Sequence, residues 1–318
     1  MSSLFGTSGN RTVEPPLPGV GYTSVLRTQT MTTGAFQSLV GVLLVLAGYS
    51  LLLPALALAV LGPVWMLRGR PGTFTEYQAA ALEFHTIDGM VASHVAIASM
   101  IVMTMVAIRY VNLRHPRWLA SVQPGFRWRF AVVCALVALV LLNAVYWISR
   151  IGNPFNWNPD DHFGWWVVAI VLTAPLQAAG EEFFFRGYLL QAAGSVASNR
   201  WLAVVVSAVI FAAFHGTQNL PLLVDRFGFG LMAGALVVLT GGLEAAIAAH
   251  AVNNVFAFGY AAAAGGIAQA RTIQVSTWAT TGWDLLGYGL VVLACWMFGR
   301  RMQVATRTPG LESGAQVR

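Results

Sequence analysis

The chain has 318 residues, of which 57% are hydrophobic and only 9% are charged. Soluble domains carry about 25% charged residues, and a surface in contact with water needs such groups. The composition therefore excludes an ordinary soluble domain and predicts that lipid covers part of the surface. The net charge of +6 does not indicate nucleic acid, because the arginines lie singly or in small groups at the ends of apolar runs, where membrane topology explains them.

Both ends of the chain are predicted to be polar tails. Residues 1–33 lack a basic segment followed by an apolar run and a small-residue cleavage site, so no cleaved signal peptide is expected. Residues 301–318 are predicted to be disordered. Cys134 and Cys295 lie in separate apolar runs and indicate neither a disulfide framework nor a thiolate metal site.

Apolar runs long enough to cross a bilayer predict an all-α, polytopic membrane helix bundle with about eight transmembrane helices. The first run contains Pro54 and is too long for one straight crossing, so it is expected to be tilted, kinked or partly re-entrant. The predicted spans, in chain order, are Gly34–Leu67, Met90–Val111, Phe130–Ile148, Trp165–Leu190, Trp201–Leu222, Phe227–Thr240, Leu243–Gly265 and Leu285–Phe298.

The arginines predict the orientation. With the N-terminus inside and eight crossings, most arginines fall on the inner side, including the cluster from Arg109 to Arg129. Inner loops are rich in Lys and Arg, so both termini are predicted to be cytoplasmic. We expect a multi-pass protein of a bacterial plasma membrane.

Three short stretches place polar side chains inside apolar runs, where each ionised group costs about 2.5–3.5 kcal/mol. The first contains Glu181, Glu182 and Arg186. Glu182 and Arg186 are four residues apart on one helix face and can form an ion pair. Glu181 projects about 100° away and is predicted to face a cavity. A purely structural ion pair would leave Glu181 without a partner in its own helix.

The other two stretches contribute imidazoles and an amide. His215 ends the run Phe211–His215, where an isolated histidine is more often a packing or helix-end residue. His250 and Asn254 project from one face of span seven, and their ordinary alternative is hydrogen bonding between helices.

Together these residues predict a hydrolytic site. A carboxylate and an imidazole that hold one water can deprotonate it for attack on an amide carbonyl, and a second histidine with an asparagine can stabilise the oxyanion. Glu181, His215 and His250 could instead hold a divalent metal such as zinc.

Other catalytic patterns are missing from the sequence. There is no Gly-x-Ser-x-Gly elbow, and no His-Glu-x-x-His helix or P-loop. Spans four to eight carry no paired aspartates of the aspartyl-protease kind. His85, Asp88 and His94 do not share one helix face, so loop or packing roles are predicted for them.

The ordered set Glu-Glu-x-x-x-Arg, Phe-x-x-x-His and His-x-x-x-Asn resembles the CPBP family, the CAAX protease and bacteriocin-processing (Abi) intramembrane proteases. The match covers about Trp165 to Gly265, and Gly187 after the arginine also suits it. The resemblance implies a CAAX-protease-like core over residues 164–300, preceded by accessory transmembrane helices over 34–163.

By the same resemblance, Glu181 is the base acting on water that it shares with His215. His250 and Asn254 stabilise the oxyanion, and Glu182 with Arg186 supports the site. The protein is then an intramembrane endopeptidase, of metallo- or glutamate type, that acts on a membrane-associated peptide or protein.

Two alternatives stay open. One is a non-catalytic membrane scaffold or bacteriocin-immunity protein with the same fold. The other is a transporter of protons or small solutes, which the lack of an inverted repeat disfavours. The sequence indicates neither the substrate nor the oligomeric state.

The predicted spans leave one geometric conflict. Glu181 lies nearer the inner end of span four and His215 nearer the outer end of span five, a difference in depth of roughly 10 Å. The two can meet only if span five begins later than predicted, or if helix four is broken near Gly180, which a hydrated cavity would tolerate.

Overall fold

The computed structural model describes residues 13–123, 125–197, 199–216 and 218–310. Over these residues the chain is an α-helical bundle without strands, which confirms the predicted fold class. The helices are α1 Met31–Leu67, α2 Phe74–Leu82, α3 Ile87–Ala98, α4 Met100–Tyr110, α5 Arg117–Ala120, α6 Trp128–Ser149, α7 Phe163–Glu182, α8 Leu190–Val196, α9 Arg200–Ala213, α10 Leu220–Thr240, α11 Glu244–Ala263, α12 Ile267–Arg271 and α13 Trp278–Arg301.

Within the described ranges, six helical segments are long and apolar enough to cross a membrane, fewer than the eight predicted. They correspond to predicted spans one to four, six and eight. The first, α1, is one continuous helix despite Pro54 and Pro63. Span seven is present as the 20-residue helix α11, but its polar residues make it less apolar than the six.

The prediction for span five was wrong at its C-terminal end. Trp201–Leu222 is not one helix, because α9 ends at Ala213 and α10 begins at Leu220. Gly216 lies between them with a φ of 73°, a left-handed conformation that glycine adopts without a Cβ clash. With only 14 residues, α9 is about 21 Å long, shorter than the roughly 30 Å hydrocarbon core.

The loops gather at the two ends of the bundle in the alternating order expected for repeated crossings. At one end, Arg127 bonds both carboxylate oxygens of Glu244, at 2.8 and 2.7 Å, and donates to the carbonyls of Thr240 and Ala305. At the other end, the segment before α10 bonds the segment before α13, with the amide of Asn219 2.9 Å from a backbone oxygen there. The cytoplasmic assignment of the first end stays a prediction.

Both predicted tails contain ordered residues that pack at the Arg127 end. Val25 and Leu26 are buried, and Arg27 donates to the carbonyls of Gly194 and Ala197 at 3.0 and 2.6 Å. The prediction of disorder from residue 301 is wrong for residues 301–310, because Thr308 is buried and its hydroxyl oxygen accepts from the Val20 amide. Residues 1–12 and 311–318 lie outside the described residues.

The centre of the bundle is α7, which packs between α3 and α11. At Gly180 the backbones of α7 and α3 are so close that a Cβ would lie 2.5 Å from the Ile97 carbonyl oxygen and 2.9 Å from Ala98 Cα. This contact sits immediately before Glu181 and sets the position of that residue against α3.

We expect Gly180→Ala to lower the stability of the detergent-solubilised protein by about 1–3 kcal/mol, because the added methyl forces the two backbones apart. Thermal unfolding followed by circular dichroism measures the effect. Gly164→Ala, in the same helix with open space around it, is the matched control and should be neutral or slightly stabilising. Equal unfolding temperatures for the two variants would contradict the close-packing account.

Candidate active site

The helix that carries the double glutamate is continuous but changes its winding at the site. Residues Phe163–Val196 form one helical run, with a π-helical stretch over Phe183–Leu189. The π-helix has i→i+5 hydrogen bonds and a wider turn, a feature frequent at functional sites. A break near Gly180 is therefore not observed; the helix widens directly after Glu182 instead.

Glu182 and Arg186 form the predicted ion pair, with Arg186 Nη1 2.9 Å from Glu182 Oε1 and both side chains fully buried. The same oxygen lies 2.8 Å from His250 Nδ1 on α11. An ionised carboxylate can only accept hydrogen bonds, so Nδ1 of His250 carries the proton. Glu182 thus fixes both the orientation and the tautomer of the imidazole, the usual role of a carboxylate behind a functional histidine.

Aromatic rings surround the guanidinium of Arg186. Its central carbon lies 4.0 Å from the ring centre of Phe211 and 5.4 Å from that of Phe229. Cation–π attraction is strongest where water is excluded, and this residue is fully buried. Nε and Nη2 have no hydrogen-bond partner among the described residues, so the rings and Glu182 together hold the charge.

Glu181 faces the other nitrogen of the same histidine. Its Oε2 lies 3.7 Å from His250 Nε2. When the imidazole is neutral, Nε2 has a lone pair, so both facing atoms are acceptors. A water beside them can donate one proton to each atom. This is the arrangement that water activation by a carboxylate and an imidazole requires.

The second oxygen of Glu181 ends a chain of amide hydrogen bonds. Gln177 Nε2 donates to Glu181 Oε1 at 2.6 Å, and Asn254 Nδ2 donates to Gln177 Oε1 at 2.7 Å. Asn253 donates to Asn254 at 3.2 Å, and the Tyr288 hydroxyl donates to Asn253 at 3.4 Å. Every donor points toward Glu181, so the chain favours the ionised carboxylate and holds its orientation.

Three members of this chain, Gln177, Asn253 and Tyr288, were missed in the sequence. Gln177 precedes Glu181 by four residues, so helical spacing could have identified it. Asn254, the predicted oxyanion donor, uses one amide hydrogen on Gln177 and keeps a second.

His215 lies just beyond α9, where its Nδ1 is 2.9 Å from the carbonyl oxygen of Phe211. A carbonyl only accepts, so Nδ1 is the donor and Nε2 is left as the free nitrogen. The ring packs on Phe211 with centroids 4.6 Å apart, and Phe211 also faces His250 at 6.5 Å. His215 and Glu181 line the same cavity, because α9 is short and ends at its wall.

This cavity has a volume of about 270 Å³ and is lined by Glu181, His215, His250 and Asn254, the four predicted catalytic residues. It opens at the end of the bundle where His215 and neighbouring residues of the α12–α13 connection are exposed. Its remaining walls are aromatic and aliphatic, with further polar groups at His94, Gln177, Asn253, Arg226, Arg271 and Tyr288.

The residues near Glu181 do not fit a metal ion. Across the described ranges, no three His, Cys, Asp or Glu side chains converge as a metal-binding group. Of the predicted ligand set, Glu181 and His250 approach each other, whereas a structural zinc takes four ligands and a catalytic zinc takes three protein ligands.

Two aspartates influence each other, although the sequence offered no pair. Asp225 on α10 and Asp284 on α13 interact electrostatically, and Asp225 is buried. Neither lines the cavity, so they do not form an aspartyl-protease site with it. Their helices are far apart in sequence, which hid the interaction.

Of the three polar residues near span two, His85 and Asp88 do not line the cavity, whereas His94 does. His85 lies 3.5 Å from Glu83, and Asp88 pairs with Arg68 at 2.5 Å. His94, by contrast, lines the cavity, with its Nδ1 2.8 Å from Thr173 Oγ1 on α7.

Comparison with known protein families identifies a match that includes the candidate site. Residues 163–256 match the family model described as "Type II CAAX prenyl endopeptidase Rce1-like". The matched stretch runs from α7 into α11 and contains all six predicted site residues. The match confirms the predicted family resemblance over residues 163–256, in the C-terminal half of the chain.

A curated relative is the uncharacterized protein YyaK of Bacillus subtilis (strain 168), 25% identical over 198 residues. The alignment covers 58% of this chain and 65% of the relative, so the chain spans less than two thirds of that protein's length. No solved structure matches the chain.

We expect Glu182→Gln to destabilise the protein by about 3–5 kcal/mol, because it leaves the fully buried guanidinium of Arg186 unpaired. Denaturant unfolding in mild detergent measures the loss. The double variant Glu182→Gln with Arg186→Met removes the orphaned charge and should recover most of it. If the single variant is as stable as the parent protein, the buried pair does not hold the site together.

Proposed function

We propose that the protein is a CAAX-protease-like intramembrane endopeptidase in which Glu181 and a histidine activate water. The observation that carries the proposal is the position of His250 between the two glutamates. Glu182 holds its Nδ1 at 2.8 Å, and Nε2 faces Glu181 at 3.7 Å. The Rce1-like family match supports the same class of activity.

In the proposed reaction, the water between Glu181 and His250 attacks the carbonyl carbon of a peptide bond. Glu181 takes one proton from the water as the new C–O bond forms. The free amide hydrogen of Asn254 donates to the oxyanion, and His250 can donate to it only when both of its ring nitrogens are protonated. The C–N bond then breaks, and the proton on Glu181 passes to the leaving amine.

His215 has a separate part in this proposal. Its free Nε2 accepts a hydrogen bond, so in the neutral form it can hold a substrate N–H. The amide chain from Gln177 keeps Glu181 oriented, and the ion pair of Glu182 with Arg186 keeps His250 oriented. No covalent acyl-enzyme is needed.

The proposed substrate is a peptide or protein segment associated with the bilayer. The aromatic walls at Phe185, Phe211, Phe214 and Phe229 suit apolar side chains. The described segments that precede α1 and follow α13 pack at the Arg127 end of the bundle, and the cavity opens at the opposite end. With the predicted topology, in a plasma membrane and with both termini cytoplasmic, the substrate enters from the outer side.

We expect Glu181→Gln to lower cleavage at least about 10²-fold, because the amide cannot take the proton from water. The purified protein is incubated in proteoliposomes with a library of apolar peptides, and mass spectrometry identifies the products. Glu83→Gln, a surface carboxylate paired with His85, is the control and should cleave normally.

Full cleavage by Glu181→Gln would rule out the proposed mechanism. The result would favour the non-catalytic scaffold or immunity protein if neither the parent protein nor the variant cleaves any peptide. The variant must then also restore whatever growth defect a strain without the protein shows. Proton or solute flux into the vesicles that His215→Ala abolishes would favour a transporter.

We expect cleavage to survive treatment with a strong chelator, because the donors near Glu181 do not converge on one point. Metal content by mass spectrometry and activity are measured on the same sample. Loss of activity that zinc restores, with one equivalent of zinc per chain, would establish the metal-dependent form instead.

A further inference from the structure

The charges that line the cavity do not balance. Among the described residues, Glu181 is its only carboxylate, and it lies deep in the bundle with 16% of its side chain exposed. Arg226 and Arg271 line the same cavity. Neither forms an ion pair with a described residue, whereas Arg127 and Arg186 do.

Arg226 lies within a membrane-spanning helix, two turns after the start of α10. It interacts electrostatically with Asp225 and Asp284, but these two carboxylates do not line the cavity. On the cavity side its charge acts on His215. A charged side chain inside a span is expensive and generally faces a partner or a functional cavity.

Arg271 ends α12 and is exposed at the mouth of the cavity. Its guanidinium lies 5.3 Å from the ring centre of Phe84, a cation–π contact that orients the side chain while its N–H donors form no side-chain hydrogen bond to a described residue. Arg271 acts electrostatically on His94 and Tyr49, two other residues of the cavity wall. The two arginines therefore face the cavity from different helices.

Helix geometry places both arginines nearer the mouth of the cavity than His250. Arg226 is six residues from the start of α10, or about 9 Å from the open end of the bundle. His250 is thirteen residues from the end of α11, or about 20 Å from the same end. A peptide that reaches the deep residues must pass the two guanidinium groups.

We propose that Arg226 and Arg271 form a recognition site for a carboxylate of the substrate. This inference rests on the proposed peptidase function, since an unmodified peptide has carboxylates as its anionic groups. The carboxylate is the free C-terminus or an Asp or Glu side chain. Guanidinium groups bind it through charge-assisted, paired hydrogen bonds that also set its orientation, with the apolar part of the peptide on the aromatic walls.

The test separates binding from cleavage. The Glu181→Gln protein in detergent is mixed with three versions of one apolar peptide library: the free acid, the C-terminal amide, and the amide with one internal Glu. Bound peptides are recovered and quantified by mass spectrometry. The measurement is repeated with Arg226→Gln and Arg271→Gln added to the same background.

We expect the free acid or the Glu-containing amide to bind at least about tenfold more tightly than the plain amide, since losing a hydrogen bond to a charged group weakens binding by this factor or more. Each arginine variant should remove the preference and leave binding of the plain amide unchanged. Which anionic version is favoured identifies the source of the carboxylate. Arg150→Gln is the matched control, since Arg150 also lies over aromatic rings but outside the cavity.

Equal binding of all three versions, or equal losses in all three on replacing the arginines, would overturn the inference. So would a result in which the variants change only the affinity for vesicles that contain anionic lipid, because the arginines would then be membrane anchors. Carboxylate-dependent binding without cleavage by the parent protein would refute the proposed function and keep the recognition site. Cleavage by the parent protein without any preference for a carboxylate would refute the recognition site and keep the proposed function.

Discussion

The site depends on one buried oxygen, Oε1 of Glu182, which accepts from Arg186 at 2.9 Å and from His250 at 2.8 Å. A carboxylate removed from water must have its charge compensated and its lone pairs used. The guanidinium of Arg186 compensates the charge, and the imidazole of His250 uses one of the lone pairs. Because this oxygen holds His250 Nδ1, the ring turns Nε2 toward Glu181. The two neighbouring glutamates thus have different tasks, one structural and one facing the cavity.

The rest of the bundle keeps this contact dry and in place. One ring, that of Phe211, packs on several residues of the site. It contacts the guanidinium of Arg186 and the ring of His215 and, at a longer distance, faces the ring of His250. Gly180 brings α7 against α3. The bonds of Arg127 to Glu244, Thr240 and Ala305 close the opposite end of the bundle. The cavity opens at the other end, where His215 and Arg271 are exposed.

The same polar residues can be explained as packing or as chemistry. An ion pair between Glu182 and Arg186 alone would need no amide chain. Glu181, by contrast, has an amide donor on one oxygen and an imidazole nitrogen 3.7 Å from the other. The described residues also lack three converging donors for a metal ion. These observations support the proposal of water activation by organic groups.

Part of the fold and of the candidate site could be predicted from the sequence, because it depends on spacing within one helix. The helical class, the ion pair of Glu182 with Arg186 and the separate direction of Glu181 all follow from the 3.6-residue period. The motif order also sufficed to suggest the family, since a set of short patterns is specific where each alone is not. The C-terminal end of span five was placed too late, because hydropathy does not show that Gly216 ends a helix early.

What only the tertiary structure decided are the contacts between helices. The spacing in one chain cannot show that His250 meets Glu182, that Gln177 links Asn254 to Glu181, or that Arg226 and Arg271 share the cavity. His250 and Glu182 are 68 positions apart, and Asn254 and Gln177 are 77 positions apart, so packing alone brings them together. The sequence by itself determined which polar residues share a face within each helix, because helical periodicity is local. Their partners are non-local, so the fold had to supply them.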